Sequence, residues 1–185
     1  MTAAAFLKQI VLALEQAQIP YMVTGSFGSS AHGVVRGTND IDLVIAPNAA
    51  QLRTFIAQFP NERYYADEHD AIEALQHASQ FNIIDFASNW KADLIIRRPR
   101  DFSRTEFDRR RHHVISGVSV YIASPEDVLI AKLEWAKMGE SDRQIEDAAG
   151  IIATQGSSLD RAYVERWVGE LELQRQWQLA LERAV

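Results

Sequence analysis

Asp40 and Asp42, one residue apart, open the apolar run completed by Ile41, Leu43, Val44 and Ile45. In a β-strand alternate side chains share a face, so both carboxylates point one way while Ile41 and Leu43 point the other. Like charges held so close cost free energy unless a cation lies between them, and a hard divalent ion such as Mg2+ takes oxygen ligands of this kind. Upstream, the apolar run Tyr21-Met22-Val23-Thr24 ends in Gly25-Ser26. Gly25 has no Cβ to keep another group off the backbone, and Ser26 is a suitable N-cap for a short helix over Phe27 to His32, whose first N–H groups favour phosphate. A phosphate cradle and a cation site joined by so few residues suit a nucleoside triphosphate carrying its metal.

Gly25-Ser26, thirteen intervening residues, then Asp40-x-Asp42 in an apolar strand resemble the signature of the nucleotidyltransferase superfamily, the polymerase-beta-like fold that includes the minimal bacterial nucleotidyltransferases. The resemblance runs over roughly residues 20 to 135 and asks for a third carboxylate on a later strand. Asp93, in Lys91-Ala92-Asp93-Leu94-Ile95-Ile96, is the best match to the family's Lys-x-Asp-apolar strand after a hairpin, and an acid inside such a run is otherwise unfavourable. Asp85, in Phe81-Asn82-Ile83-Ile84-Asp85-Phe86, is the competing candidate. Two other phosphate motifs are excluded: there is no Gly-Lys-Ser/Thr of a Walker loop, and Gly25-Ser26-Phe27-Gly28 lacks dinucleotide-binding spacing. The plain alternative for the aspartates is a turn cap at Asp40 and a solvent-facing Asp42.

The resemblance implies that Asp40 and Asp42 hold Mg2+ (or Mn2+) against the triphosphate, and that Asp93 completes a second metal site or takes the proton of the incoming hydroxyl. It further implies that Gly25 and Ser26 hold the β and γ phosphates and that Arg36 adds a charge-assisted contact. Lys132, on a later helix, has a family counterpart near the triphosphate; the plainer reading is an exposed lysine. The implied activity is transfer of a nucleoside monophosphate from a metal-bound NTP to an acceptor hydroxyl, with release of pyrophosphate and with a small-molecule acceptor favoured. Rival readings are a toxin–antitoxin nucleotidyltransferase that modifies tRNA or a partner protein, and a nucleotide-binding module without turnover. A homodimer through the C-terminal helices and a cognate partner protein are both compatible with the sequence.

The elements that must position these residues follow from periodicity. Leu7, Ile10, Val11 and Leu14 mark an amphipathic helix within Thr2 to Gln18 that stops before Pro20, and Leu52, Phe55, Ile56 and Phe59 mark another that ends at Pro60. A helix over Asp70 to Ala78 precedes strands over Phe81 to Phe86 and Lys91 to Arg97, joined by a Ser88-Asn89 turn. Val114 to Ala123 reads as a hairpin, and Ser124-Pro125-Glu126-Asp127 as a capped helix start whose Val128, Leu129, Ala131, Leu133 and Trp135 mostly face the core. From Asp142 onward the pattern is helical, with a break at Gly156-Ser157-Ser158. Arg143-Gln144-Ile145-Glu146-Asp147 is similar to an Arg-x-x-Glu-Asp segment of the same family group, with no role assigned. The expected fold is α/β (α+β): a mixed sheet of about five strands flanked by helices, residues 1–123 forming the nucleotidyltransferase-like domain and residues 124–185 a helical segment packed on it.

Composition limits the function classes. A chain of 185 residues that is 47% hydrophobic buries a real core, and the lack of cysteine removes disulfides, thiolate zinc sites and cysteine nucleophiles. With neither signal peptide nor membrane span in the pattern, the expectation is a cytoplasmic protein. A net charge of −6 opposes extensive binding to nucleic acid. The most basic part, Arg97 to Arg111, reads either as a solvated surface or as a grip on a phosphate-bearing substrate. His112 and His113 face opposite sides of a strand and do not chelate zinc together. The C-terminal aromatics, whose basic neighbours do not interleave in the way nucleic-acid binding requires, read as helix-packing or dimer contacts and not as a base-stacking platform.

Overall fold

The computed structural model describes residues 1–25, 40–139 and 141–184. Ser26, Arg36 and the expected helix over Phe27 to His32 lie outside the described residues. The chain divides into two compact units, whose described parts are residues 1–25 with 40–122, and residues 123–139 with 141–184.

The first unit is a seven-stranded mixed sheet with helices. Helix α1 (Ala3–Gln16) is capped by Thr2 and buries Phe6, Leu7, Ile10, Val11 and Leu14. Strands β1 (Tyr21–Thr24) and β2 (Asp40–Ile45) follow, then α2 (Ala49–Ile56), whose N-terminus is closed by a reciprocal Asn48/Gln51 capping box. Next come β3 (Tyr64–Tyr65), α3 (Glu68–His77), β4 (Gln80–Asp85), β5 (Lys91–Ile96), α4 (Asp101–Asp108), β6 (Arg111–Ile115) and β7 (Val118–Ile122). The strand order is β3-β4-β5-β2-β1-β7-β6. Pairing is parallel for β2 with β5 and for β1 with β7, and antiparallel elsewhere. Helix α1 packs on β7, α3 packs on β4 and β5, and α2 touches both helices.

The count exceeds the expected five for two local reasons. Strand β3 has only two residues, too few for a period of two to register. The hairpin expected from Val114 supplies two strands and starts earlier, its first strand β6 opening at Arg111 inside the arginine run, where all five residues are partly or fully exposed and no apolar alternation marks it.

In the second unit Ser124 caps α5 (Pro125–Gly139): its hydroxyl accepts from the Asp127 N–H at 3.2 Å and donates to the Asp127 carboxylate at 2.6 Å. Asp127 is fully buried and also accepts from the Tyr163 hydroxyl at 2.6 Å. Helices α6 (Asp142–Gln155), α7 (Arg161–Glu170) and α8 (Gln174–Arg183) pack with α5, and Trp167 and Trp177 are buried among them. Trp135, expected in the core, is 47% exposed. It lies two turns beyond the buried Val128 on the same side of α5, while its neighbours Leu133 and Ala136 are buried. Among the described residues no helix is long and apolar enough to cross a membrane.

Asp85 ends β4 at the hairpin to β5. Its carboxylate is fully buried and accepts from Arg63 Nε at 3.2 Å and from the Ser88 hydroxyl. Its carbonyl accepts from the Asn89 N–H at 2.8 Å, with Asn89 in the left-handed region that asparagine tolerates better than most residues. Burial alone pushes the Asp85 carboxyl up, but the Ser88 and Arg63 hydrogen bonds, the Arg63 charge and the Ala87 N–H outweigh it and hold the carboxyl below the usual carboxylate range. A depressed folded-state pKa gives stability that is present above the unfolded-state value of about 3.9 and is lost as pH falls through the folded-state value. Asp85→Ala is therefore expected to cost about 2–3 kcal/mol at pH 7, roughly 4–12 °C in melting temperature for a chain of this size. The gap between wild type and variant should close as melts are repeated below about pH 4.

Candidate functional site

The pairing of β2 with β5 puts the charged residues in register. Asp40 lies opposite Lys91, and Asp42 lies opposite Asp93. Because alternate residues of a strand share a face and in-register neighbours on adjacent strands point the same way, the four make a two-by-two block on one side of the sheet. The row through Asp42 and Asp93 extends outward on both sides, to Thr24 on β1 and to Asn82 on β4. The result is a polar strip across four strands, while Ile41, Leu43 and Ile45 are fully buried on the other face.

The contacts within the block are specific. Asn82 donates its side-chain amide to Asp93 Oδ1. Lys91 Nζ stands 3.1 Å from Asp93 Oδ2 and 3.5 Å from Asp40 Oδ1, so one ammonium bridges acids on two strands. Burial alone lowers the Lys91 pKa, but the hydrogen bond with Asp93 and the charges of Asp93 and Asp40 outweigh it and raise the group above its ordinary value. Asp42 meets the backbone of β1: a Cβ built on Gly25 falls 1.9 Å from Asp42 Oδ2. Gly25 also has φ +61°, the left-handed region. Two independent constraints therefore require glycine there, one steric and one conformational.

The three carboxylates offer only oxygens, the ligand type a hard divalent cation takes, and with the Lys91 ammonium beside them the block keeps a formal charge of −2. Among the described residues, no group of three or more His, Cys, Asp or Glu is gathered closely enough to enclose a metal. In the block itself, the Lys91 ammonium contacts two of the three acids.

No family model matches the sequence, and no curated protein matches it. Solved structures do. The chain is similar to the solution structure of the antibiotic-resistance factor ANT(2'')-Ia, with a TM-score of 0.53 and 16% identity, over 96% of this chain and 94% of that one. It is similar to an antigenic nucleotidyltransferase-like protein from Paracoccidioides brasiliensis, with a TM-score of 0.52 and 19% identity, over 95% and 91% of the two chains. It also matches the crystal structure of ANT(2'')-Ia in complex with adenylyl-2''-tobramycin, with a TM-score of 0.50 and 16% identity, over 96% and 99%. The chain has the nucleotidyltransferase fold.

On this nucleotidyltransferase fold the other candidate residues are placed differently. Asp85 is in the hairpin turn with its carboxylate engaged by Ser88 and Arg63, whereas Asp93 stands opposite Asp42. Lys132 belongs to the second unit and is not an exposed lysine. It is 4% exposed, with Nζ 2.9 Å from Asp147 Oδ2 and 3.4 Å from Gln144 Oε1. The Arg143–Asp147 segment thus supplies the charge that lets a lysine be buried. Within the basic cluster Arg98, Arg104 and Arg111 are exposed, while Arg97, Arg100 and Arg110 are half-buried against aromatic rings. Arg97 lies 5.2 Å and Arg110 4.3 Å from the Phe107 ring, and Arg100 lies 5.5 Å from the Phe102 ring with Nε on the Ser103 hydroxyl at 3.0 Å. His112 contacts the Ser119 hydroxyl at 2.6 Å.

Thr24, Asn82 and Lys91 were missed as members of the site. Asn82 carried a signal, an amide in an otherwise apolar strand, and Lys91 stood in the Lys-x-Asp motif without a role of its own.

Gly25→Ala is expected to destabilise the fold by about 1–2 kcal/mol through left-handed strain, and by more through collision with Asp42. In an Asp42→Gly background only the strain remains. Urea unfolding of the two single variants and the double variant should therefore give a coupling above about 0.5 kcal/mol; additive costs would show that Asp42 does not press on Gly25.

Proposed function

We propose that the protein is a metal-dependent nucleotidyltransferase that moves a nucleoside monophosphate from an NTP to an acceptor hydroxyl. The observation that carries this reading is the registered block on β2 and β5, which sets Asp42 against Asp93 with Asp40 one step along the strand. In this reading Asp40, Asp42 and Asp93 hold Mg2+ or Mn2+, and Gly25 with Ser26 and Arg36 receives the phosphates. A bound divalent cation supplies neutralisation of the charge that develops on the triphosphate. The acceptor oxygen bonds to the α-phosphorus, and the bond from that phosphorus to the bridging oxygen breaks. Pyrophosphate departs with the electron pair, and the hydroxyl proton passes to Asp93. Asn82 orients Asp93 for that task by holding Oδ1, which leaves Oδ2 on the side of Lys91 and Asp40. Lys132 is engaged by Asp147 within the second unit, and this scheme gives it no phosphate to hold.

A small acceptor is the reading we favour. Arg97, Arg100 and Arg110 are laid on aromatic rings in a chain of net charge −6, a poor basis for a continuous basic path along RNA. The structurally similar antibiotic-resistance factor ANT(2'')-Ia has been solved in complex with adenylyl-2''-tobramycin.

Pyrophosphate release from each NTP, assayed with Mg2+ and with chelator against a panel of aminoglycosides and tRNA, tests the proposal. Turnover should need the metal and should fall by roughly 10³-fold or more in Asp42→Asn and in Asp93→Ala, with both variants still folded. Asp85→Ala should retain turnover when assayed well below its melting temperature. NTP binding without turnover under every condition would leave a nucleotide-binding module instead, and turnover confined to tRNA would replace the small acceptor.

A further inference from the structure

Asp93 has two carboxylate oxygens with different partners. Oδ1 is taken by the amide of Asn82, and Oδ2 is held by Lys91 Nζ at 3.1 Å. The same ammonium reaches Asp40 Oδ1 at 3.5 Å. A cation approaching the block meets Lys91 on the oxygen of Asp93 that Asn82 leaves over. The lysine is placed there by strand register, since Lys91 is the in-register neighbour of Asp40 and lies two residues before Asp93 on the same face. Its side chain is 34% exposed, so the four-carbon stem has room to carry the ammonium out into water without unfolding the strand. An ordinary exposed ion pair contributes little, but here one ammonium offsets two acids on adjacent strands, with a third acid, Asp42, completing the block.

We infer that Lys91 is a built-in counter-ion: it neutralises Asp40 and Asp93 while the site is without metal, and it gives up those oxygens when a divalent cation binds. Lys91 is thus a positioning residue that sets the threshold concentration for metal. The inference rests on the reading of these acids as the cation site.

The probe is Mn2+ alone, titrated calorimetrically into the full chain without nucleotide, for wild type, Lys91→Met and Lys91→Arg. Lys91→Met should bind Mn2+ roughly tenfold more tightly than wild type, because no ammonium has to be displaced. Lys91→Arg, which keeps the charge, should bind no more tightly than wild type. Without metal, Lys91→Met should melt below wild type, and saturating Mn2+ should raise its melting temperature by more than it raises that of wild type. A lysine that served the fold alone would change the melting temperature and leave the Mn2+ affinity unmoved. Should Lys91→Met not fold without metal, Lys91→Gln carries the same comparison. Equal or weaker Mn2+ binding by the neutral variant, with wild type binding normally, overturns the role of Lys91 and leaves the proposed function standing. Absence of Mn2+ binding in wild type and neutral variant alike overturns both.

Discussion

The in-register parallel pairing of β2 with β5 is the constraint on which the site depends. It brings together Asp40, Asp42, Lys91 and Asp93, which are separated by up to fifty-three positions, and needs no loop to do so. Strand register is quantised: a slip of one residue would carry Asp42 to the face now held by Ile41 and Leu43 and expose those apolar side chains in exchange. The hydrophobic face therefore fixes the position of the charged one. Fully buried Ile41, Leu43 and Ile45 on β2, with Ala92 and Leu94 on β5, make any other register expensive. The acids gain their placement from a core to which they contribute nothing.

That placement has an electrostatic cost, and the neighbours of the block are matched to it. Carboxylates on adjacent strands of one sheet face repel unless their charge is shared. Asn82 and Lys91 divide the oxygens of Asp93 between them, and Lys91 extends to Asp40. On the other side the backbone of Gly25 comes so near to Asp42 that a single methyl group would not fit. Asp85 shows the opposite arrangement on the same hairpin. Its carboxylate is completely buried, closed off by Ser88 and Arg63, and its carbonyl anchors the turn. Two acids eight residues apart thus differ in kind, one exhausted by its own turn and the other facing the carboxylates of a neighbouring strand.

Much of this was legible in the sequence because it follows from period and parity. The alternation in Asp40-Ile41-Asp42-Leu43 gave the shared face, and the ends of β2, α1 and the β4–β5 hairpin fell close to the Pro, Gly and Ser-Asn signals that bound them. Which strand lies beside which is a long-range fact that a single sequence does not carry, so the opposition of Lys91 to Asp40, and of Thr24 and Asn82 to the acid row, was not readable. The arginines from Arg97 to Arg110 illustrate the same limit from another side. A run of cations looks like one surface until Phe102, Phe107 and Tyr121 are seen against the guanidinium groups of Arg97, Arg100 and Arg110, contacts made by side-chain direction and by strand pairing as well as by composition. Strand β3 escaped for a plainer reason: two residues cannot show a period of two.

The two lysines of interest make a last comparison about what a charged side chain is able to do. Lys132 is 4% exposed and bound at 2.9 Å to Asp147, with Gln144 as a second acceptor. Withdrawing one member of a buried pair leaves its partner charge in low dielectric, a cost of about 3–5 kcal/mol, so any ligand that recruited Lys132 directly would have to offset that first. Asp147 is then better understood as what makes the position of Lys132 permanent than as a partner it readily leaves. Lys91 is in the reverse situation. It is a third exposed, Asn82 still holds Asp93 when it departs, and water receives its ammonium. A cation that must be exchangeable belongs at a strand end open to water on a flexible stem, and one that must stay belongs between packed helices; in this chain the two kinds are assigned to different units.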